Sequence, residues 1–306
     1  MPEEVNTSTN RQDVRIPAYG ETIAAYLYRP DSDGPVPCIV MAHGFTLTRD
    51  DGLGPYAEAF QRAGFAAIVF DYRRFGASTG EPRQVIDYKW EIADYHAVVK
   101  WARKLDGIDP ERIALWGTSF AGGMVVEAAA TDPRIAAVVS QCPFADAIAA
   151  TLAMPPTNVA RGSADAMFDR ARALVGGKPR YMPAVAAPGK YAMMSAPEAK
   201  PGFDSMVDPK GLWRNEVGAR ILLQLSAGQG GAPLRPFKTA KKLTMPVLFC
   251  VCDADETTPP APSIKASQLA PKGELRRYPY GHFDIYRDPQ ARADQVEFLS
   301  RVLATG

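Results

Sequence analysis

The sequence predicts an α/β protein, built on a doubly wound, mostly parallel sheet with an inserted, mainly helical cap. Continuous apolar runs such as Pro37–Ala42 and Phe65–Phe70 alternate with segments of helical spacing, as expected for strands covered by helices on both faces. This alternation stops near Pro143 and resumes at Met245. A structureless insertion of that length is improbable in a compact domain. We therefore expect a core at 1–143 and 244–306 and a cap at 144–243.

The individual elements follow from local periodicity and turn residues. Tyr19–Gly20 separates two short β runs and predicts a hairpin. In the segment Asp87–Leu105, apolar residues recur every three or four positions, which predicts a long amphipathic helix; they are Trp90, Ala93, Ala97, Trp101 and Leu105. The predicted strands are Asp13–Ala18, Thr22–Arg29, Pro37–Ala42, Phe65–Phe70, Ile113–Trp116, Ile135–Ser140, Pro246–Cys252 and Glu274–Tyr278. The other predicted helices are Pro55–Ala63, Phe120–Ala130, Pro260–Leu269 and one that begins at Pro289.

Composition excludes several classes of partner. The formal charge is +1, from 35 basic and 34 acidic residues, so nothing attracts the chain to nucleic acid or to an anionic membrane. No apolar stretch reaches 18 residues, and Met1–Arg15 lacks the apolar run of a secretion signal. The sequence leaves a homodimer open.

The four cysteines indicate a reducing compartment. Each lies in or beside a strand-like apolar run, where free thiols behave as small hydrophobic groups; they are Cys38, Cys142, Cys250 and Cys252. The spacing of Cys250 and Cys252, with no histidine nearby, does not match a zinc site. We therefore expect a cytoplasmic protein without a disulfide framework or a metal.

The segment Trp116–Gly123 carries the strongest chemical signal. Its sequence, WGTSFAGG, follows a predicted strand and opens a predicted helix, which is the context of a nucleophile elbow. Small residues are needed there because the strand and helix backbones nearly touch, although Ala121 stands where glycine is usual. The sequence predicts Ser119 as a nucleophile, and the alternative is a serine that merely fits a tight turn.

A serine hydroxyl needs a base, and the chain has only three histidines. His282 follows the last predicted strand, at the carboxyl edge of the sheet, and we expect it to be the base. His96 lies in the middle of a helix and is expected to pack or hydrogen-bond. His43 ends the first parallel strand and is expected to support the neighbouring loop, with a further role beside the substrate as an alternative.

The base in turn needs a carboxylate that fixes its tautomer. In a fold of this kind the acid lies between the serine and the histidine in the chain. Asp253 and Asp255 both follow the strand Pro246–Cys252. We favour Asp255 because the chain can turn toward His282 at that point, and Asp253 is the alternative.

Acyl transfer also needs hydrogen-bond donors for a tetrahedral oxyanion. The first donor is expected to be the backbone N–H of Phe120. Phe120 is the first residue of the helix after Ser119, where the helix N-terminus favours negative charge. The second donor is expected from the loop after the first parallel strand, and the N–H of Phe45 is our prediction.

The substrate pocket is predicted from the cap and from the loop Asp71–Ser78. We expect Tyr72, Met154, Met193 and Trp213 to contact the substrate, with ordinary packing as the alternative; Met194 belongs to the same group. Arg73 and Arg74 could bind a substrate carboxylate or phosphopantetheine, but structural ion pairs are the favoured interpretation.

Over nearly its whole length the chain resembles the α/β-hydrolase superfamily. The resemblance rests on His43–Phe45, Asp71–Ser78, Gly117–Gly123, Asp253–Asp255 and Gly281–His282. More narrowly, the segments GEPRQ at 80–84, VSQCPF at 139–144 and YPYGHFD at 278–284 are similar to the polyketide-transferase branch. Arg74 stands where many relatives have glycine. The serine nucleophile also departs from dienelactone hydrolases, which use cysteine.

The resemblance implies an α/β-hydrolase fold and acyl-enzyme chemistry on Ser119 without a cofactor. We expect hydrolysis of an ester or thioester, with a small apolar acyl substrate as the partner. The alternatives are a polyketide acyltransferase that uses an alcohol acceptor, a peptidase and a non-catalytic ligand-binding module.

Overall fold

The computed structural model describes residues 11–227 and 231–304, and most of the segment Met1–Arg15 lies outside them. Eight strands form the main sheet: β1 (Arg11–Ala18), β2 (Glu21–Tyr28), β3 (Val36–Ala42), β4 (Ala66–Phe70), β5 (Ile108–Thr118), β6 (Ala137–Gln141), β9 (Val247–Cys252) and β10 (Gly273–Tyr278). Two short strands, β7 (Tyr181–Met182) and β8 (Val217–Gly218), pair separately.

The sheet order is β1-β2-β4-β3-β5-β6-β9-β10. The β1–β2 and β2–β4 pairs are antiparallel and the other five are parallel. The Tyr19–Gly20 hairpin is present, with positive φ angles of 52° and 79° at the two residues. The predicted mostly parallel sheet is therefore confirmed, and its antiparallel edge is the N-terminal hairpin.

Ten α-helices accompany the strands in the described chain. Their bounds are α1 (Gly54–Arg62), α2 (Tyr88–Ala102), α3 (Phe120–Ala129), α4 (Ala147–Ala153), α5 (Pro156–Leu174), α6 (Ala199–Met206), α7 (Ile221–Ala227), α8 (Pro236–Thr239), α9 (Pro260–Leu269) and α10 (Pro289–Val302). Short 3₁₀ turns lie at Ala240–Lys242 and Asp284–Tyr286.

The core has two layers, one on each face of the sheet. On one face, α1 and α10 bury aromatic residues such as Phe60 and Phe298 against the strands. On the other, α2, α3 and α9 contribute residues such as Tyr95, Met124 and Ala266. Both faces of the central strands are thus buried, which explains their continuously apolar sequences.

The buried face of α2 differs from the one that its apolar spacing predicts. Trp90 is 38% exposed, whereas Glu91, Asp94 and Tyr95 are buried. The buried positions are shifted by about one residue from the predicted face, and Asp94 at one of them forms an ion pair with Arg73. A polar residue held inside in this way cannot be recognised from hydrophobic periodicity.

The described residues of the segment 144–243 form five α-helices, α4 to α8, and the β7–β8 pair. Methionines from this segment contact the same cavity as Ser119, as described below. The division into core and cap at the predicted boundaries stays a prediction. No helix in the described parts of the chain is both long and apolar enough to cross a bilayer.

Candidate active site

Four parallel strands end at the same edge of the sheet, and each is followed by a predicted site residue. His43 follows β3, Ser119 follows β5, Asp255 lies three residues beyond β9, and His282 lies four residues beyond β10. In open α/β sheets this edge is where ligands bind. The topology therefore brings His43, Ser119, Asp255 and His282 to one edge of the sheet.

Ser119 occupies a sharp turn between β5 and α3. Its backbone angles are φ 57° and ψ −120°, a region that non-glycine residues rarely adopt. A Cβ on Gly117 would lie 2.3 Å from the Ala121 carbonyl oxygen, so the turn requires glycine at that position. The geometry is that of a nucleophile elbow, which directs the serine side chain out of the sheet.

Asp255 and His282 form a buried, hydrogen-bonded pair. The Nδ1 of His282 lies 2.6 Å from Oδ2 of Asp255, and both side chains are 2% exposed. The backbone N–H groups of Thr257 and Thr258 donate to Asp255 Oδ1 at 2.9 and 2.6 Å. These contacts fix the carboxylate, which in turn fixes the histidine ring with Nδ1 as the donor to Asp255 and Nε2 outside this contact.

The electrostatics of the pair favour a protonated imidazole. Burial lowers the pKa of His282, but the charge of Asp255, its hydrogen bond and the charge of Glu198 together raise that pKa above its ordinary value. A raised pKa makes His282 a stronger base, as proton removal from a hydroxyl requires.

The alternative acid, Asp253, is directed elsewhere. Its carboxylate accepts a hydrogen bond from Arg277 at 2.8 Å, and the two side chains are 38% and 56% exposed. Only Asp255 of the two candidates contacts His282.

Ser119 lies at the same edge of the sheet as Asp255 and His282, and the described part of the chain shows no direct hydrogen bond between the serine and this pair. Among the residues that the structure describes, Ser119 shares a cavity with Thr257 and Thr258, the neighbours of Asp255. Catalytic hydrogen bonds are often long before substrate binds, so this arrangement is compatible with a serine that engages His282 on substrate binding.

The two predicted oxyanion donors, the backbone N–H groups of Phe45 and Phe120, belong to the segments that follow β3 and β5. Phe120 is the first residue of α3, where a backbone N–H has no acceptor within the helix. The Phe45 ring packs edge-on against Phe120, with ring centroids 5.7 Å apart. Gly44 allows this approach, since a Cβ there would lie 2.9 Å from the Ser119 Cβ.

His43 and Tyr72 lie behind this loop and are not among the residues that line the Ser119 cavity. The Nδ1 of His43 is 2.8 Å from the Gly44 carbonyl oxygen, and its ring packs on Tyr72 with centroids 4.9 Å apart. Burial lowers the pKa of His43 to about 4, so the ring is neutral at physiological pH. This placement fits support of the loop, and substrate contact by either residue stays a prediction.

The cavity beside Ser119 is small and uncharged, with a volume of about 60 Å³. Met154 and Met193 lie in its wall, as does Met194, whereas Trp213 packs on Phe203 with its indole N–H 3.4 Å from the Thr46 hydroxyl. The full lining is Phe45, Ser119, Phe120, Phe144, Ala150, Met154, Met193, Met194, Leu225, Thr257 and Thr258. A second cavity of about 40 Å³ shares the three methionines.

Arg73 and Arg74 are engaged in structural contacts. Arg73 pairs with Asp94 and lies 3.7 Å from Glu21. Arg74 stacks over Trp90 and adopts a positive φ of 76°. The left-handed backbone at this position explains why glycine suits it in related sequences.

Cys142 lies beside the Asp255–His282 pair. Its sulfur is within 4.8 Å of a carboxylate oxygen of Asp255 and a ring nitrogen of His282, and burial raises its pKa well above the ordinary value. It is therefore a neutral thiol that packs behind the pair and is 3.3 Å from the sulfur of Cys252.

Two contacting residues were not predicted. The Thr258 hydroxyl lies 2.9 Å from Asp255 Oδ2, and Glu198 accepts a hydrogen bond from the backbone N–H of His282 at 2.8 Å. Thr258 is three residues beyond Asp255 and could have been sought by that spacing. Glu198 carries no local signal, because the fold brings it from 84 residues away.

Comparisons with known proteins agree with this geometry. The model of the X-Pro dipeptidyl-peptidase (S15) family matches residues 20–156, a range that includes the Ser119 turn but neither Asp255 nor His282. Quorum-quenching protein AidA of Acinetobacter baumannii is 39% identical over 294 residues, which cover 95% of each chain. A thiohydrolase of Eupenicillium brefeldianum is 26% identical, covering 90% of this chain and 88% of the relative.

The solved structures include the α/β hydrolase GrgF of a Penicillium species. It superposes with a TM-score of 0.82 at 25% identity and covers 96% of this chain and 99% of its own. A polyketide transferase of that name, also from Penicillium, is 32% identical over 65% of this chain and 66% of its own length. The sheet, the Ser119 turn and the similarities that cover nine tenths or more of the chain lead to one conclusion: the chain belongs to the α/β-hydrolase family and is a hydrolase.

Proposed function

We propose that the chain cleaves carboxylic ester or thioester bonds of apolar acyl substrates, with Ser119 as nucleophile, His282 as base and Asp255 as the orienting acid. The buried 2.6 Å contact between His282 and Asp255 supports this proposal most strongly. It leaves Nε2 of the ring as the atom available to take a proton.

The reaction has two stages. His282 Nε2 accepts the Ser119 proton while Oγ attacks the substrate carbonyl carbon, and the N–H groups of Phe45 and Phe120 bind the oxyanion. Collapse breaks the bond to the alcohol or thiol, which leaves with the proton from His282. Water then attacks the acyl-enzyme as His282 takes its proton, and the carboxylic acid departs when the bond to Ser119 Oγ breaks and His282 returns that proton to Oγ.

The cavity supports an apolar acyl group. Its lining is methionine, phenylalanine, alanine and leucine, with the hydroxyls of Ser119, Thr257 and Thr258 at the reacting end. None of the lining residues is charged, so the cavity supplies no carboxylate to hold a substrate ammonium group. The peptidase alternative is accordingly less favoured, although the matching family is named for a peptidase.

An acyltransferase is the second candidate. Relatives named polyketide transferase and thiohydrolase both occur among the similar proteins, and the two reactions share the acyl-enzyme. They differ only in whether water or an alcohol takes the acyl group. Product analysis with a competing alcohol distinguishes them, since a transferase yields the new ester in excess of the acid.

The remaining proposals concern the cellular compartment, the oligomeric state and the metal requirement. The four cysteines are free and buried, which supports the prediction of a cytoplasmic enzyme. A homodimer stays a prediction that sedimentation velocity tests. It also stays a prediction that the enzyme needs no metal. Activity should then be unchanged after treatment with EDTA.

Covalent labelling tests the assignment of the nucleophile. A fluorophosphonate probe should add to the wild-type protein once, and peptide mass spectrometry should place it on Ser119. Heat-denatured protein is the control. A label on another residue, or none on protein that turns over esters, would contradict the proposal.

A further inference from the structure

We propose that Glu198 is a positioning residue that joins the acid loop (253–258) to the histidine loop (279–283). It holds the two loops in the relative position in which Asp255 and His282 can act together. This inference rests on the proposed function, since it concerns the residues assigned there as acid and base. Glu198 itself belongs to the predicted cap segment, 144–243.

One carboxylate contacts both loops, with one oxygen for each. Oε1 of Glu198 accepts hydrogen bonds from the backbone N–H groups of Glu256 and Thr257, at 2.8 and 2.9 Å, and from the Thr257 hydroxyl at 2.9 Å. Oε2 accepts from the backbone N–H of His282 at 2.8 Å. Hydrogen bonds to an ionised acceptor are roughly twice as strong as neutral ones, so this bridge constrains both backbones.

The histidine loop is shaped to admit the carboxylate. A Cβ on Gly281 would lie 2.4 Å from Oε2 of Glu198. Any larger residue at position 281 would therefore push the carboxylate away from the His282 N–H. The glycine before the base is explained by this contact.

The Glu198 side chain is not used by its own helix. Glu198 is the residue before α6, and it makes no side-chain capping hydrogen bond there. The chain just before it carries Met193 and Met194, which line the substrate cavity, as does Thr257. Glu198 thus connects the wall of the pocket to the two loops that carry the acid and the base.

Glu198 also acts on His282 through its charge. Burial lowers the pKa of His282, and Asp255 and Glu198 both raise it. The other groups facing this region are the Cys142 thiol and the Thr258 hydroxyl, beside the ring, and Asp284, which accepts the N–H of Gly281 at 3.0 Å. Removal of the negative charge at position 198 should therefore lower the pKa of the base.

The test compares Glu198→Gln with Asp204→Asn in ester hydrolysis. Asp204 lies in α6, and its exposed carboxylate contacts Lys200, so it is a matched control for loss of a charge. A glutamine places an N–H group against one of the backbone donors and releases one loop. We expect kcat to fall roughly 10- to 100-fold with KM little changed, and the acid limb of the pH profile to move to lower pH, while Asp204→Asn behaves as wild type.

Gly281→Ala provides independent evidence because it leaves the charge at position 198 in place. Its added methyl displaces the carboxylate, so kcat should fall with a smaller movement of the pH profile. Circular dichroism checks that each variant is folded. If Glu198→Gln does not fold, the kcat of Gly281→Ala alone tests the proposal.

The result that would overturn the proposal is wild-type kcat and an unmoved pH profile in folded Glu198→Gln, or wild-type kcat in folded Gly281→Ala. Failure of the proposed function would look different, because the wild-type protein would then show no Ser119-dependent turnover.

Discussion

Gly44 lies so close to Ser119 that a Cβ on the glycine would be 2.9 Å from the serine Cβ. The loop that carries the Phe45 N–H therefore contacts the nucleophile turn directly. This contact constrains the position of the Phe45 N–H, one of the two proposed oxyanion donors, relative to Ser119. Any side chain at position 44 must displace one of these two turns.

Gly44→Ala should consequently lower kcat. Expressed as free energies, the loss in kcat should exceed the loss in the free energy of unfolding. Displacement of the Phe45 N–H weakens one oxyanion hydrogen bond, and the loss of one such donor costs about 3 kcal/mol in a well-studied hydrolase. We expect kcat for an ester to fall by roughly a hundredfold. Gly34→Ala is the control, because a Cβ there meets nothing within 4 Å. Equal kcat values in the two variants would show that the Phe45 N–H does not bind the oxyanion.

The pH dependence of ester hydrolysis should report His282. The base must be neutral to accept the serine proton, so activity rises with pH through its pKa. Because the charges of Asp255 and Glu198 outweigh the effect of burial and raise that pKa, the acid limb of kcat/KM should lie above the ordinary histidine value of about 6.5. An acid limb of kcat/KM below the ordinary histidine value would contradict the described electrostatics.

The substitution Asp255→Asn should lower kcat by roughly 10⁴-fold.

The substrate cavity predicts a change in chain-length preference. Met154 and Met193 line both the cavity beside Ser119 and the second cavity. Met154→Ala should join the two spaces and move the preferred acyl chain toward greater length, whereas Met154→Trp should move it toward acetyl. Met167→Ala is the control, because that side chain is 65% exposed on the surface. Unchanged preference in both Met154 variants would place the acyl group elsewhere.

Buried His43 should make the fold sensitive to acid. Its folded pKa of about 4 lies below the unfolded value, so the unfolded state binds the extra proton first and stability falls as the pH drops below about 6.5. The contribution is about 2 kcal/mol between pH 7.5 and pH 5. His43→Asn should lose less stability than wild type over that interval, measured by urea denaturation. An identical loss in both proteins would show that His43 does not carry this dependence.

The elements that define the fold were predictable because their signals are local. The strand, tight turn and helix around Ser119 lie within one short segment, and the elimination of two of the three histidines left His282. Where tertiary contacts decide, prediction was incomplete. The strand before Ser119 is predicted at Ile113–Trp116 but extends over Ile108–Thr118. Ile108 pairs with Val36 of β3, and the register shifts across the polar residues 109–112 before pairing resumes at Ile113.

Long-range contacts at the site were the least predictable. Glu198 has no motif around it. Its proposed positioning role follows only from the contacts of its own segment with the acid loop and the histidine loop. Similarly, Phe144 and Leu225 join the cavity from separate parts of the chain. Asp255 could be favoured over Asp253 only by an argument about where the chain turns, and the contact with His282 distinguishes them.

The most direct test of the central claim is hydrolysis of p-nitrophenyl esters, from acetyl to dodecanoyl, by wild type and Ser119→Ala. We predict wild-type turnover with a defined chain-length optimum, and a loss of roughly 10⁵- to 10⁶-fold in folded Ser119→Ala. Turnover by Ser119→Ala at a rate near that of wild type would contradict the assignment of Ser119 as the nucleophile.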